Sequence, residues 1–138
     1  MERVAERLGV SGSVIFGRAT IDIKDVYMNA SVLALTSRYE GLPMVLLEAQ
    51  AAGLPIVSFA CKCGPKDVVA DGENGYLVEE GDVRGIADRL MEVMSDEEKR
   101  MRMGARAYED SKMYDGERIM GMWEELFKRL SKGLKGSW

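Results

Sequence analysis

The chain has 138 residues, of which 46% are hydrophobic and 30% are charged, and its formal net charge is −4. This length and composition predict one globular domain with a buried core. An acidic balance with interspersed signs gives no basic face for nucleic acid, and no apolar run is long enough to span a membrane. No signal peptide is visible at the amino terminus, so the cytoplasm is the expected compartment.

Residues suited to metal or redox chemistry are sparse. Cys61 and Cys63 are one residue apart and poorly placed to pair with each other, and the chain contains no histidine. Two cysteines without histidine fall short of a zinc site. We therefore expect reduced thiols, no bound metal, and acid–base chemistry that falls to carboxylates or to another chain.

Apolar runs alternate in a strand–helix pattern that predicts an α/β fold with a partial, Rossmann-like parallel sheet. About four strands are expected, at residues 14–16, 32–36, 55–59 and 76–78, with helices at 23–30, at 44–52 and briefly after Gly64-Pro65. Residues 1–81 would form these strand–helix units, residues 82–131 the carboxyl-terminal helices, and residues 132–138 a frayed tail.

The last third of the chain shows helix caps. Asp82 is the expected N-cap of a helix to about Met94, and Ser95 with Glu98 forms a capping-box pattern for a second helix. Gly116 is expected to loosen the chain before a third helix at 119–130. In that helix Trp123 and Phe127 lie four residues apart, a spacing that predicts docking on the body of the domain. Seven methionines cluster here, and core filling is favoured over a contact surface: Met91, Met94, Met101, Met103, Met113, Met120 and Met122.

The most informative segment is residues 36–49, in which two glutamates bracket a Gly-Leu-Pro turn and an otherwise apolar helix. With Pro43 in its first turn, the helix would present unpaired backbone N–H groups to a diphosphate. Glu48, roughly 1.5 turns into the helix, would point back toward that anion and could accept hydrogen bonds from a vicinal diol. Glu40 could serve the other end of the same ligand. The alternative is that Glu48 faces solvent and Glu40 is an ordinary loop charge. The spacing of the two residues alone favours neither interpretation.

Loops after the other strands flank the same region. Ligands of open α/β sheets bind beyond the carboxyl ends of the strands, which places Gly17 and Arg18 beside Glu40. Arg18 could approach a base or a phosphate, although a solvated loop cation is the commoner role. Lys62 and Lys66 carry a weaker version of the same hypothesis.

Residues 37–59, with Glu40 and Glu48 separated by seven residues, resemble the carboxyl-terminal domain of retaining glycosyltransferases of the GT-B fold, the group 1 family with a Glu-x7-Glu motif. The match continues in register through Gly64-Pro65, residues 71–78 and the helix opened by Asp82. The resemblance implies transfer of a sugar, with retention, from a nucleoside-diphosphate sugar to a glycan or lipid-linked acceptor, usually without a metal. A UDP-sugar is favoured, with GDP- and ADP-sugars as alternatives.

The resemblance also implies residue roles. Glu40 would act beside the donor sugar as the catalytic residue, and Glu48 would bind the ribose hydroxyls. The backbone of the intervening turn would contact sugar hydroxyls and diphosphate, which by position means Gly41, Leu42, Met44 and Val45.

The chain departs from the family in what precedes residue 14. The family's enzymes have a second, acceptor-binding domain and two further strands with basic groups that neutralise the diphosphate, and none has a counterpart here. We therefore expect a donor-binding part that is inactive alone, with an open sheet edge and an oligomer formed by strand pairing. The alternatives are a non-enzymatic nucleotide-binding or protein-interaction module derived from such an enzyme, and a generic nucleotide-binding domain. Peripheral membrane association is a further alternative for the intact enzyme.

Overall fold

The computed structural model describes residues 1–134, and within them the sheet has three parallel strands in the order β1-β2-β3. The strands are β1 (Leu33–Leu35), β2 (Ile56–Phe59) and β3 (Gly75–Val78). Ala34 pairs with Val57, which in turn pairs with Tyr76. The α/β class and the parallel sheet are confirmed, with three strands where about four were expected.

The strand predicted at residues 14–16 is wrong. Residues 14–20 have no regular secondary structure, and Ile15 is 97% exposed. A strand forms only when a neighbour takes up its backbone hydrogen bonds. Among the described residues β1 pairs with β2 alone, so its other edge stays open and residues 14–16 have no adjacent strand.

Helices account for most of the remaining described chain. Within residues 1–134 they are α1 (Glu2–Arg7), α2 (Ile23–Met28), α3 (Met44–Ala51), α4 (Pro65–Val68), α5 (Val83–Ser95), α6 (Glu97–Ser111) and α7 (Gly116–Leu134), with 3-10 helices at Ser11–Ser13 and Lys112–Tyr114. The helices predicted at 23–30 and 44–52 are confirmed to within two residues at their ends.

The caps of the long helices agree only in part with the prediction. The Asp82 carboxylate accepts a hydrogen bond from a backbone N–H of the first turn of α5 at 2.8 Å, which confirms that cap. The capping box of Ser95 and Glu98 is wrong, because Ser95 ends α5. Asp96 is instead the N-cap of α6 and accepts from a first-turn N–H at 2.9 Å.

The core has two halves, one on each face of the sheet. Adjacent strand residues point to opposite faces, and accordingly Ile56 packs with residues of α2, α3 and α4 while Val57 and Phe59 pack with residues of α5 and α6. All four residues of β2 are buried. Helices on both faces are what a parallel sheet requires, and β2 is its central strand.

Helix α7 differs from the prediction in three ways. It begins at Gly116 instead of being preceded by a break there. It continues to Leu134, through part of the expected tail, whose residues 135–138 lie outside the described chain. Trp123 and Phe127 stack on each other with ring centroids 5.7 Å apart, but they are 50% and 60% exposed, so the predicted docking is wrong.

The methionines of the helical third do not fill the core as expected. Met103 is buried, whereas the other six are more than half exposed. They lie on the solvent-facing sides of α5, α6 and α7 and in the 3-10 helix before α7. None of the described helices is both long enough and apolar enough to cross a membrane.

Candidate functional site

The loop from β1 to α3 carries the first glutamate and delivers the chain to the helix that carries the second. Pro43 is the N-cap, with φ −73° and ψ 105°, and α3 begins at Met44. The sequence predicted Pro43 within the first turn of the helix. The structure instead has Pro43 directly before that turn. The Pro43 carbonyl accepts from the Leu46 N–H at 3.0 Å, which closes the first turn.

The backbone donors expected near this helix start are open to a ligand. Among residues 1–134, the N–H groups of Gly41, Leu42, Met44 and Val45 donate no hydrogen bond within the protein. All four residues are exposed. An α-helix leaves its first N–H groups without intrahelical partners and carries positive potential at this end. The arrangement can therefore receive an anionic group.

Glu48 has a partner that the sequence did not reveal. The Tyr27 hydroxyl, on α2, donates to Oε2 of Glu48 at 2.8 Å. The Tyr27 side chain is buried against Leu46 and Ala49 of α3, while Glu48 itself is exposed. Burial, reinforced by the hydrogen bond to the Glu48 carboxylate, raises the pKa of Tyr27 to about 12. The hydroxyl consequently stays protonated and acts as the donor at neutral pH.

Glu40 lies in a different setting. It is half-buried, and its carboxylate forms no hydrogen bond or ion pair with any other residue in the described chain. Glu48 borders two clefts, one of about 350 Å³ toward α2 and one of about 390 Å³ toward the 3-10 helix Lys112–Tyr114. Glu40 lines neither cleft, so the two glutamates do not share one of them.

The loops that follow β1 and β2 touch each other at Gly64. A Cβ atom at Gly64 would lie 2.2 Å from the Gly41 carbonyl oxygen and 2.5 Å from Cδ of Pro43. Gly64 also has φ +82°, a conformation that side chains disfavour. Its N–H donates to Oδ2 of Asp67 at 3.3 Å, which fixes the start of α4. The position of the Glu40–Pro43 turn therefore depends on a glycine in the next loop.

The remaining predicted site residues are not drawn into this arrangement. Gly17 and Arg18 are exposed within the irregular segment, and Arg18 forms no ion pair with any described residue. Lys62 and Lys66 are also exposed and unpaired within residues 1–134. In that same part of the chain no three His, Cys, Asp or Glu side chains cluster closely enough to hold a metal ion.

Sequence reasoning missed Tyr27 and Gly64. A signal for Tyr27 was present, because a tyrosine hydroxyl that becomes buried usually finds a hydrogen-bond partner. Gly64 directly precedes a proline that opens a helix, a position where a cap residue adopts a non-helical conformation. Neither signal identifies the contact, which joins residues from separate elements.

Solved structures of glycosyltransferases superpose on this chain and define its fold class. A Staphylococcus aureus TarM variant, solved with UDP, α-GlcNAc-glycerol and fondaparinux, superposes with a TM-score of 0.84 at 27% identity over 91% of this chain and 26% of its own. A parallel sheet with a helical carboxyl-terminal part, shared with such enzymes, is the architecture of the carboxyl-terminal half of a GT-B glycosyltransferase.

The sequence comparisons name the family. The model of the family Glycosyl transferases group 1 matches residues 1–110, and the chain belongs to that family. An amylovoran biosynthesis glycosyltransferase, AmsD of Erwinia amylovora, is 36% identical over 75% of this chain and 29% of its own length. A lipopolysaccharide core biosynthesis glycosyltransferase, LpsE of Rhizobium meliloti, is 35% identical over 79% of this chain and 32% of its own length.

The chain is short beside these relatives. Its matches span between 14% and 36% of the length of eight curated relatives. The expectation that this domain derives from a glycosyltransferase is confirmed. The relatives include enzymes of polysaccharide and lipopolysaccharide biosynthesis.

Proposed function

We propose that the α3 start and its two glutamates bind the nucleoside-diphosphate sugar of a retaining glycosyltransferase. The observation that carries the proposal is the set of four exposed, unpartnered backbone N–H groups at residues 41–45, bracketed by Glu40 and Glu48. Such a set suits an anion, and acceptor-only carboxylates on either side suit hydroxyl groups. A diphosphate with a diol at each end has this chemistry.

Glu48 is assigned to the ribose. Glu48 lies in the second turn of α3, on the carboxyl-terminal side of the proposed diphosphate site. Its Oε1 atom accepts no hydrogen bond within the described residues. A carboxylate can accept from both hydroxyls of a vicinal diol. UDP is the favoured nucleotide, because TarM, a relative of similar fold, was solved with UDP. GDP and ADP are the alternatives.

Glu40 is assigned to the transferred sugar as the catalytic residue. Its carboxylate is half-buried and has no partner within residues 1–134, so it is available to a ligand group at the outer side of the turn. We include retention of the anomeric configuration in the proposal because Glu40 and Glu48 have the Glu-x7-Glu spacing of retaining enzymes. A glycan or lipid-linked acceptor would bind outside this chain, which spans at most about a third of the relatives' length. Turnover by these 138 residues alone is therefore not expected.

The test is a titration of the isotopically labelled chain with UDP, GDP and ADP. We expect the amide resonances of residues 41–48 to shift with one of them. Glu48→Ala should weaken binding by about 1.5 to 3 kcal/mol, the usual range for hydrogen bonds to a charged group. Glu98→Gln, a substitution on the exposed start of α6, is the control and should leave the affinity unchanged. Absence of any response at millimolar nucleotide would refute the donor site.

A second candidate is a protein-interaction module, favoured by one observation. The outer edge of β1 is open within the described chain. Ile15 and Ile21, in the segment that precedes α2, are both 97% exposed. An open edge can pair with a strand of another copy. We expect an oligomer by light scattering at micromolar concentration, and a sharp monomer peak with a cooperative melt would exclude this arrangement.

A further inference from the structure

We propose that Tyr27 is a positioning residue of the donor site, whose hydroxyl holds Oε2 of Glu48 so that Oε1 is presented to the ribose hydroxyls. The inference rests on the proposed function and extends it to α2, an element outside the Glu40–Glu48 segment. The geometry that carries it is the 2.8 Å hydrogen bond from the Tyr27 hydroxyl to Glu48.

The aromatic ring of Tyr27 is a rigid support for this bond. It is only 9% exposed and packs in the core half formed by α2, α3 and α4. Leu46 and Ala49 of α3, which flank Glu48 in sequence, belong to the same packed cluster and are fully buried. The hydroxyl is therefore fixed relative to α3 itself, whereas the exposed Glu48 side chain would otherwise sample several rotamers.

The direction of the hydrogen bond leaves the carboxylate suited to a diol. Since burial and the nearby carboxylate raise the pKa of Tyr27, the phenol remains a donor and Glu48 remains the acceptor. One hydrogen bond occupies one acceptor position of a carboxylate that has about four. Oε1 accepts no hydrogen bond in the described chain. A ribose hydroxyl can therefore bind without displacing Tyr27.

We expect Tyr27 to increase the affinity for UDP because it orders the Glu48 side chain before the ligand binds. Fixing a flexible side chain on binding normally opposes association, and removal of the Tyr27 hydroxyl would return that cost to the binding step. We expect Tyr27→Phe to weaken UDP binding by about three- to tenfold. The effect should be confined to ligands that carry the diol, because only they use Glu48.

The experiment measures dissociation constants for UDP and for its 2′,3′-dideoxy counterpart with the chain and with Tyr27→Phe. We expect the variant to lose affinity for UDP and to bind the dideoxy nucleotide as the parent chain does. The ratio of the two constants separates positioning from folding, because a general loss of structure would weaken both ligands alike.

Tyr76→Phe is the matched control. Tyr76 is likewise buried, at 8% exposure, and its hydroxyl donates to a carboxylate, Oε1 of Glu92, at 2.7 Å. This pair lies on the other face of the sheet, in the core half of α5 and α6. It should share the loss of stability and leave the UDP to dideoxy ratio unchanged.

A second variant tests whether Tyr27 acts through Glu48. Glu48→Gln removes the charge that Tyr27 holds, so the ratio of the UDP dissociation constant to the dideoxy dissociation constant should rise toward one. Adding Tyr27→Phe to Glu48→Gln should then raise it no further. An equal preference for UDP over the dideoxy nucleotide in the parent chain and in Tyr27→Phe would overturn the positioning role and leave the donor site intact. A parent chain that binds neither nucleotide, nor GDP or ADP, would overturn both.

Discussion

Gly64→Ala is the substitution that tests whether the loop after β2 holds the donor turn in place. Gly64 is the N-cap of α4 with φ +82° and ψ −73°. An added Cβ would stand 2.2 Å from the Gly41 oxygen and 2.5 Å from Cδ of Pro43. Neither neighbour can rotate away, because one is a backbone carbonyl and the other belongs to a proline ring.

The free energy of unfolding should fall through two separate effects. Holding a residue other than glycine at this backbone conformation costs about 1 to 3 kcal/mol. Forcing a methyl group into occupied space adds about 1 to 3 kcal/mol more, as in overpacked interiors. We expect a total loss of about 2 to 6 kcal/mol, a large share of the roughly 5 to 15 kcal/mol that stabilises a typical domain.

Gly72→Ala separates the two effects. Gly72 has a similar φ of +79°, but nothing lies within 4 Å of its added Cβ. Its loss should be about 1 to 2 kcal/mol, the conformational part alone.

The assays are urea unfolding for stability and nucleotide titration for the site. Gly64→Ala should also displace the Gly41–Pro43 turn and weaken UDP binding at least tenfold, whereas Gly72→Ala should leave it unchanged. Equal losses of stability for the two variants, with unchanged UDP affinity in both, would refute the contact between the loops.

Three further predictions concern stability. Gly104→Ala should destabilise the fold by about 1 to 3 kcal/mol despite alanine's better helix propensity, because its Cβ would lie 2.3 Å from the Gly53 oxygen where α6 packs on α3. Gly121→Ala, with open space around it in α7, should instead stabilise by about 0.5 to 1 kcal/mol; thermal melts compare the pair. Hydrogen bonds from Lys99, Tyr76 and Arg89 lower the pKa of Glu92 from 4.5 to about 2. That contribution is fully present above pH 4.5 and is lost as the pH falls toward 2. With the side chain 32% exposed, we expect about 1 to 2 kcal/mol, and Glu92→Gln should flatten this part of the acid-unfolding profile.

The fold could be predicted from the sequence wherever the local pattern of residues agrees with the tertiary contacts that the folded chain makes. The runs at β2 and α3 are apolar and bounded by glycine or proline, and both form the predicted elements. All of β2 is buried, whereas α3 buries Leu46, Ala49 and Gln50 and leaves Met44 and Val45 exposed. Residues 14–16 have the same strand-like composition, yet they remain irregular, because backbone pairing depends on a neighbour that composition does not supply. The prediction that Trp123 and Phe127 dock on the body of the domain was wrong for a related reason. Their spacing defines one face of a helix but does not identify a surface that covers that face.

The site shows the same limit more sharply at Glu48. The sequence predicted that Glu48, on an otherwise apolar helix, could accept hydrogen bonds from a ligand diol. The protein supplies one such hydrogen bond itself through Tyr27, which lies 21 residues away and on another helix. The two partners are not exclusive, because a carboxylate has about four acceptor positions and Tyr27 fills one. A bond from a buried phenol fixes the orientation of Glu48 before any ligand binds. The pairing that satisfies the folded chain is therefore also the one that prepares Glu48 for a diol.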